Sequence, residues 1–436
     1  MFMKKVSPYL IIVASFLSLI LVGTILLFLP ISQASRGALN FVDSFFLATS
    51  AVTNTGLSPV ADLSVTLTLF GKIVLIVLVQ IGGLSVVTFS VFIMYLIGVN
   101  IGIGDRVLIK ETFNQDNLSG MVKLVKRIVI YTFIMEFIAF VVNLFVFVGR
   151  YDVLKAVGIS AFHAISSFNN AGFDLLGNKS LQAFNNDWLL NINTMIMIMM
   201  GGLGFIVVND IYEKRSLRKL SIHSKIVLKV NLVLWVFGML IFKISEHNGG
   251  SLSWLEAIFL SVTARTAGFS TINTANISAL TTLVLIILMF IGGAPSSTAG
   301  GIKVTTFYTL VKGVSSFSTG RQVVTSKRLI DTASREKASL LLTAALLLIT
   351  FVMIVILLID NVTFENVVFE SVAAFSNTGL TNGTLLTLHG GSRAILALLM
   401  FAGRVGPLTL LSIFNNKWYK KDFHNVEYIE EKVMIG

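Results

Sequence analysis

Apolar residues in this chain gather into eight runs, near residues 8–30, 69–98, 121–148, 188–212, 226–244, 279–310, 338–359 and 393–415. A run of roughly twenty apolar residues crosses a ~30 Å hydrocarbon core as a helix, so the pattern predicts eight transmembrane spans. Between the two members of each pair lies a shorter, half-polar segment: FVDSFFLATSAV, VGISAFHAISSF, WLEAIFLSVTA and ENVVFESVAAF. These are too short to span and predict half-helices that enter from one side and stop. Each stops at a related line of sequence: AVTNTGL (Ala51 to Leu57), SFNNAGF (Ser167 to Phe173), TARTAGF (Thr263 to Phe269) and AFSNTGL (Ala374 to Leu380). Polar or small residues precede one Gly, and Leu or Phe follows it.

A second glycine element follows each motif Gly by 24 to 30 residues: IGGL (Ile81 to Leu84), MGGLG (Met200 to Gly204), IGGAP (Ile291 to Pro295) and AGRVG (Ala402 to Gly406). The motif glycines Gly56, Gly172, Gly268 and Gly379 are spaced by 116, 96 and 111 residues. Self-similarity at this scale calls for a repeat architecture. The predicted fold is all-α and membrane-integral: four tandem units of span, pore half-helix, glycine loop and span around one pseudo-fourfold pore. The units are expected at residues 1–98, 99–212, 213–310 and 311–415, with a tail at 416–436.

Composition supports the medium. Charged residues are 13% of the chain and mean hydropathy is +0.86, whereas soluble domains carry about 25% charged residues. The net charge of +11 forms no basic face outside short loops between apolar runs, which argues against nucleic acid as a partner. The chain has no Cys, which excludes disulfides, thiolate metal sites and Cys nucleophiles. The first run is longer than the ~7–15 residue apolar core of a signal peptide, and is expected to be retained. Of the 33 basic residues, 23 fall in the N-terminal Lys4–Lys5 pair, the links between units and the tail. The positive-inside rule then places links, tail and both termini in the cytoplasm, with the glycine loops opening outward.

Non-helical backbone at membrane depth is tolerated where it is buried in protein or lines a water-filled cavity. Rings of backbone carbonyls there can replace an ion's hydration shell. The candidate ring comprises Thr53, Asn54, Thr55 and Gly56; Asn169, Asn170, Ala171 and Gly172; Arg265, Thr266, Ala267 and Gly268; and Ser376, Asn377, Thr378 and Gly379. Gly supplies backbone angles closed to other residues, and the polar side chains can brace each loop from behind. One copy is equally a re-entrant turn that merely packs. Four copies at equivalent places point to a conduction pathway.

These motifs, with GGAPSSTAGGIKVTT (Gly292 to Thr306) and GRVGPLT (Gly403 to Thr409), resemble the Trk/Ktr/HKT superfamily of potassium transporters, most closely the membrane subunit of bacterial Ktr systems. The resemblance covers essentially the whole chain. Trk-type relatives usually carry extra N-terminal spans, whereas this chain enters its first run at Pro8. The resemblance implies potassium as substrate, with Gly rather than Ser at position 56 implying selectivity over sodium. It also implies a homodimer in a bacterial cell membrane and a cytoplasmic ring of nucleotide-binding subunits. No Walker-type sequence occurs here, so ATP, ADP or NAD would be bound by that partner. No cofactor is expected on this chain, and channel-like and sodium-coupled flux both stay open.

The third loop departs from the others in carrying Arg265, which should point away from the axis and brace its loop, with Glu370 as a candidate partner. The segment Gly292, Gly293, Ala294, Pro295, Ser296, Ser297, Thr298, Ala299, Gly300 and Gly301 cannot hold a continuous helix well. A close-packed helix crossing is one reading. An intramembrane gate beneath the filter is the other, favoured by the length of the interruption and by the resemblance, with the remaining units as rigid walls. Lys303 lies beside it. Arg404, near mid-membrane, should face the interior, and the resemblance implies contact with the gate. Lys72 is expected to snorkel, Glu136 to be a hydrogen-bonded structural acid or a cation ligand, and His163 to pack. Asp43, Asp174 and Glu370 near outer loops are read as solvated acids that could also concentrate cations. The absence of HExxH, of His–acid clusters and of Cys makes an enzyme a poor reading. A carrier for another cation or small solute, with a midplane site, is the alternative function.

Overall fold

The computed structural model describes residues 7–113, 118–246, 252–325 and 328–414. The tail assigned to 416–436 and the Lys4–Lys5 pair lie outside the described residues. The helices are α1 (Pro8–Phe28), α2 (Phe41–Val52), α3 (Leu63–Thr66), α4 (Leu69–Leu84), α5 (Val86–Ile97), α6 (Ile103–Thr112), α7 (Met121–Phe147), α8 (Val153–Phe168), α9 (Trp188–Gly202), α10 (Phe205–Lys214), α11 (Ile222–Ser245), α12 (Trp254–Thr263), α13 (Ala279–Phe290), α14 (Val304–Thr319), α15 (Thr332–Ile359), α16 (Phe364–Ser376), α17 (Gly390–Val405) and α18 (Pro407–Phe414). A small hairpin pairs β1 (Val324–Thr325) with β2 (Arg328–Leu329).

Four helices, α1, α7, α11 and α15, are long and apolar enough to cross a membrane, with mean hydropathy of 2.0 to 3.1 over their most apolar windows. Only 22–39% of those windows is buried in the protein. Their outer faces carry residues such as Leu21, Phe133, Phe137, Leu232, Leu347 and Phe351. An apolar surface of that extent belongs against lipid rather than water. Starts are set by local chemistry: Pro8 occupies the first turn of α1, and Asn40, Thr68, Asp187, Ser221, Ser278 and Asp331 cap the helices that follow them.

The second runs of the sequence pairs are not straight. Helices α4 and α5 meet at 95°, α9 and α10 at 91°, and α17 and α18 at 91°. Each bend turns on one residue with positive φ: Ser85 (+72°), Gly204 (+87°) and Gly406 (+91°). Gly is the residue for such a conformation, and Ser85 holds it without that freedom. The spans read as continuous apolar runs at 69–98, 188–212 and 393–415 are therefore each two helices meeting near a right angle. All four second helices break, and the third differs in having residues 291–303 between α13 and α14.

Inside this shell lie the short helices α2, α8, α12 and α16, whose inner turns are buried almost completely, including Phe46, Phe168, Phe259 and Phe375. Each packs on the long helix before it and also on the second helix of the preceding quarter: α8 on α4, α12 on α9, α16 on α13, and α2 on α17. The last of these contacts joins the end of the chain to its beginning and closes a ring.

Candidate functional site

The four short helices deliver their C-termini to the four glycine loops, and helix C-termini carry partial negative charge. Each loop then adopts one backbone pattern. The residue two before the Gly has positive φ (Asn54 +55°, Asn170 +54°, Thr266 +70°, Asn377 +54°), and so does the Gly (Gly56 +90°, Gly172 +71°, Gly268 +80°, Gly379 +77°). Alternation between right- and left-handed backbone lets successive carbonyls face one side of the loop.

The glycines are also where the loops touch. A Cβ on Gly172 would sit 2.6 Å from Ala267 O, and one on Gly268 2.5 Å from Thr378 O. A Cβ on Gly56 would strike Ala171 O, and one on Gly379 would strike Thr55 O. Each Gly thus abuts the carbonyl before the Gly of the next loop, and the fourth returns to the first. Four carbonyls, of Thr55, Ala171, Ala267 and Thr378, belong to one closed ring. Its twelve polar or small residues other than the glycines are all buried, at 3% exposure or less.

The braces differ by quarter. In the first and fourth loops, hydroxyls latch the backbone internally, Thr53 Oγ1 to Thr55 Oγ1 at 2.7 Å and Ser376 Oγ to Thr378 Oγ1 at 2.6 Å. Ala171 and Ala267 leave the other two without this latch. In the second, Asn169 Nδ2 donates to Gln80 Oε1 (2.9 Å), Glu136 Oε1 (3.0 Å) and Ile165 O (2.9 Å). In the third, Arg265 Nη2 donates to Asn231 Oδ1 (2.8 Å) and Gly292 O (2.6 Å). Arg265 therefore points behind its loop as expected, but its partners are Asn231 and a backbone carbonyl. Glu370 instead accepts from Thr381 Oγ1 and, at 3.3 Å, from Asn382 N, which corrects the proposed pairing.

Beneath the ring, the second glycine elements let helices approach the loops. Gly82 lies against Val52 O, Gly201 against Phe168 O and Gly403 against Phe375 O, each carbonyl being one residue before its loop. In the third quarter Gly292 lies against Gly300 O instead, because the helix has opened into the 291–303 loop. That loop is well tied. Ala294 N and Thr298 N donate to Gly202 O (3.1 Å) and Gly201 O (3.3 Å), and Ser296 O accepts from Phe205 N at 2.8 Å. Ser296 Oγ donates to Phe113 O at 3.0 Å. Within the loop, Ser297 Oγ donates to Ala294 O at 2.7 Å, and Pro295 and Ala299 complete the turn. Gly293 O accepts from Val304 N, and Gly301 takes φ +68°. Gly300 reaches up against Ser376 O and Asn377, so the loop lies directly under the ring. Arg404 clamps it, donating from Nη1 to Thr298 O and from Nη2 to Gly82 O at 2.7 Å. Lys303 Nζ donates to Ala299 O at 2.7 Å. A cavity of about 110 Å³ runs beside this clamp, lined by Lys303, Thr306, Leu341, Phe375, Arg404 and Pro407.

Other polar residues have structural work. Glu136 is buried and accepts from Gln80 Nε2 (3.2 Å) and Asn169, so it braces the second loop. His163 Nε2 and Thr194 Oγ1 are 2.9 Å apart, and the ring stacks edgewise near Phe269. Asp43 is not a free loop acid: it pairs with Arg393 at 2.7 Å. Lys72 donates to Ser64 O at 2.6 Å, at its helix end. Asp174 is half-buried in the connection between α8 and α9, accepts from Ser180 Oγ (2.6 Å) and Leu176 N (3.0 Å), and burial pushes its carboxyl up to about 6. Gln80 and Asn231, which carry the braces, were not singled out by the sequence pattern. Their signal was a lone amide inside an apolar run.

The profile of the TrkH cation transport proteins matches residues 2–421. The chain belongs to this family. Among TrkH-family relatives, the Ktr system potassium uptake protein B of Vibrio alginolyticus is 36% identical over 98% of this chain and 94% of its own. The protein of the same name from Bacillus subtilis is 33% identical over 99% and 97%. The potassium/sodium uptake protein NtpJ of Enterococcus hirae is 34% identical over 99% and 98%. The crystal structure of the potassium transporter TrkH of Vibrio parahaemolyticus shares the fold, with a TM-score of 0.75 at 18% identity, covering 96% of this chain and 87% of that one. The family is one of membrane transporters, and this is a membrane protein.

Proposed function

We propose that this chain is the ion-translocating subunit of a potassium uptake system, with its four units forming eight spans about a pseudo-fourfold pore. The observation that carries the reading is the closed ring of Gly56, Gly172, Gly268 and Gly379 against the carbonyls of Thr55, Ala171, Ala267 and Thr378. Carbonyls held in a buried ring can take over the coordination that water gives a potassium ion. Four helix C-termini aimed at that point add favourable potential for a cation. The names of the Ktr relatives, all potassium uptake proteins over nearly the whole chain, support the same substrate.

In this reading a potassium ion enters from the outer side, sheds water at the ring and meets the 291–303 loop below. That loop is the gate. Lys303 and Arg404 add positive charge under it, and no carboxylate pairs with either among the described residues, so they raise the barrier to a cation while the loop is closed. The Ktr relatives are named as parts of systems, which supports a partner protein. A cytoplasmic nucleotide-binding ring, a homodimer and cytoplasmic termini complete the proposal. The NtpJ relative, named for potassium and sodium, supports sodium as a second ion in the cycle.

Rubidium uptake by cells that lack their own potassium systems tests the reading. Expression of this chain with its cytoplasmic partner should restore uptake that external potassium competes away. Protein inserted in the membrane with no uptake would overturn it.

A further inference from the structure

The ring is braced between loops on one side only. Asn54 Nδ2, in the first loop, donates across to Asn169 O of the second at 2.8 Å. Asn377 Nδ2, in the fourth, donates across to Thr55 Oγ1 of the first at 2.9 Å and to Met400 O. The same position in the second loop is Asn170, whose amide oxygen and nitrogen have no partner among the described residues. In the third it is Thr266, whose hydroxyl also has none. Both junctions that flank the third loop therefore lack the cross-loop amide bond.

Thr266 also sits where Thr is least suited. Its φ of +70° is uncommon for any residue but Gly and an outlier for a β-branched one, while Asn is several-fold enriched there. The other three loops place Asn at this point. A strained residue persists when its surroundings hold it, and what holds this loop is Arg265, tied to Asn231 and to Gly292 O at the start of the 291–303 loop. At the level of the carbonyl ring the third loop is thus held from behind, by α11 and the 291–303 loop, and within itself by Thr263 Oγ1 to Phe269 O, rather than by an amide from a neighbouring loop.

We infer that Thr266 sets the ion discrimination of this pathway, by leaving the third quarter of the carbonyl ring without the cross-loop amide that resists closure on an ion smaller than potassium. The inference rests on the proposed function. A carbonyl ring discriminates only as far as its oxygens resist moving to the shorter distances a sodium ion demands. Where cross-loop bonds hold the loops at a fixed separation, that movement breaks a buried hydrogen bond. At the third loop no bond of Asn170 or Thr266 resists it, and the ties that remain run behind the loop, from Arg265 to Asn231 and Gly292 O, and further along the chain from Thr274 Oγ1 to Thr381 O. An Asn at 266 adopts the required φ with less strain and places a carboxamide facing the fourth loop, as Asn54 faces the second. The acceptor it must reach is Ser376 O, the counterpart of the Asn169 O that Asn54 meets. Asn170, which meets none, shows that the residue type alone does not make the bond, and a bond made here adds one brace and tightens the ring.

The test is rubidium uptake competed by sodium and by potassium, reported as the ratio of their half-inhibiting concentrations alongside membrane abundance. For Thr266→Asn the ratio should move in favour of potassium on the order of three- to tenfold, the change one net hydrogen bond brings, with abundance at least that of the parent. Asn54→Ala, which cuts an existing brace, should move the ratio the other way. A ratio unchanged in well-expressed Thr266→Asn overturns the inference. Should that variant not reach the membrane, Asn54→Ala decides: a fall in the ratio supports the inference and an unchanged ratio overturns it. A purely structural role would alter abundance and total flux while leaving the ratio where it was. Failure of the parent chain to take up rubidium would instead refute the proposed function.

Discussion

At Gly56 two constraints coincide, a φ of +90° and a neighbouring carbonyl, Ala171 O, in the space a side chain would fill. Replacing it with Ser therefore displaces the carbonyl as well as straining the backbone. Gly56→Ser should lower potassium-competed rubidium uptake and raise sodium permeation by several-fold or more, measured by paired ion competition; an unchanged ratio would remove Gly56 from the ring. Asp174 makes a different prediction, in stability. Its carboxyl ordinarily titrates near 3.8 and burial lifts it to about 6. Between those values the folded protein binds more protons than the unfolded chain, so this group makes stability fall as pH rises from 3.8 to about 6, and the loss is complete above. Asp174→Asn should flatten that part of the profile of thermal unfolding in detergent. The same slope in the variant would assign it to another group.

At the scale of elements, the broken third helix is the feature whose role rests on its ties. Arg404 joins the 291–303 loop to the C-terminal end of α4 through Thr298 O and Gly82 O. Charge-assisted hydrogen bonds are each worth about 1.5–3 kcal/mol, so in the proposed gate role of this loop, losing the clamp should shift it toward open by roughly tenfold or more. Arg404→Ala is expected to raise rubidium flux most strongly when the proposed cytoplasmic partner is absent. Flux that falls with the partner present and is unchanged without it would make Arg404 a packing residue. The break itself was legible, because Gly292 to Gly301 holds six residues poor for helix, four Gly, one Pro and a β-branched Thr298. The bends at Ser85, Gly204 and Gly406 were not read, although Gly204 and Gly406 close two of the quoted glycine elements, because a glycine in an apolar run marks close packing as readily as a turn. Ser85 carries no glycine to announce it.

For the whole molecule, much was legible because the chain states its plan four times. Four half-polar segments, each closed by a Gly motif, gave α2, α8, α12 and α16, and the small residues of Gly82, Gly201 and Gly403 marked where helices approach the loops. What periodicity could not show is which residues meet across the ring. Asn231 and Arg265 lie 34 positions apart, and Asn377 and Thr55 lie 322 apart. Such pairs depend on how the quarters close, which is set by helix packing and not by local pattern. The arginine of the third loop thus had a legible direction and an illegible partner. We propose that this closure makes a coordination site on the axis. The most direct measurement is a structure of the protein determined in rubidium or thallium, with the heavy ion located by anomalous scattering. Density is expected on the axis within coordination reach of the carbonyls of Thr55, Ala171, Ala267 and Thr378, competed away by potassium. An ion found only elsewhere, with the four-carbonyl ring empty in protein that transports rubidium, would contradict it.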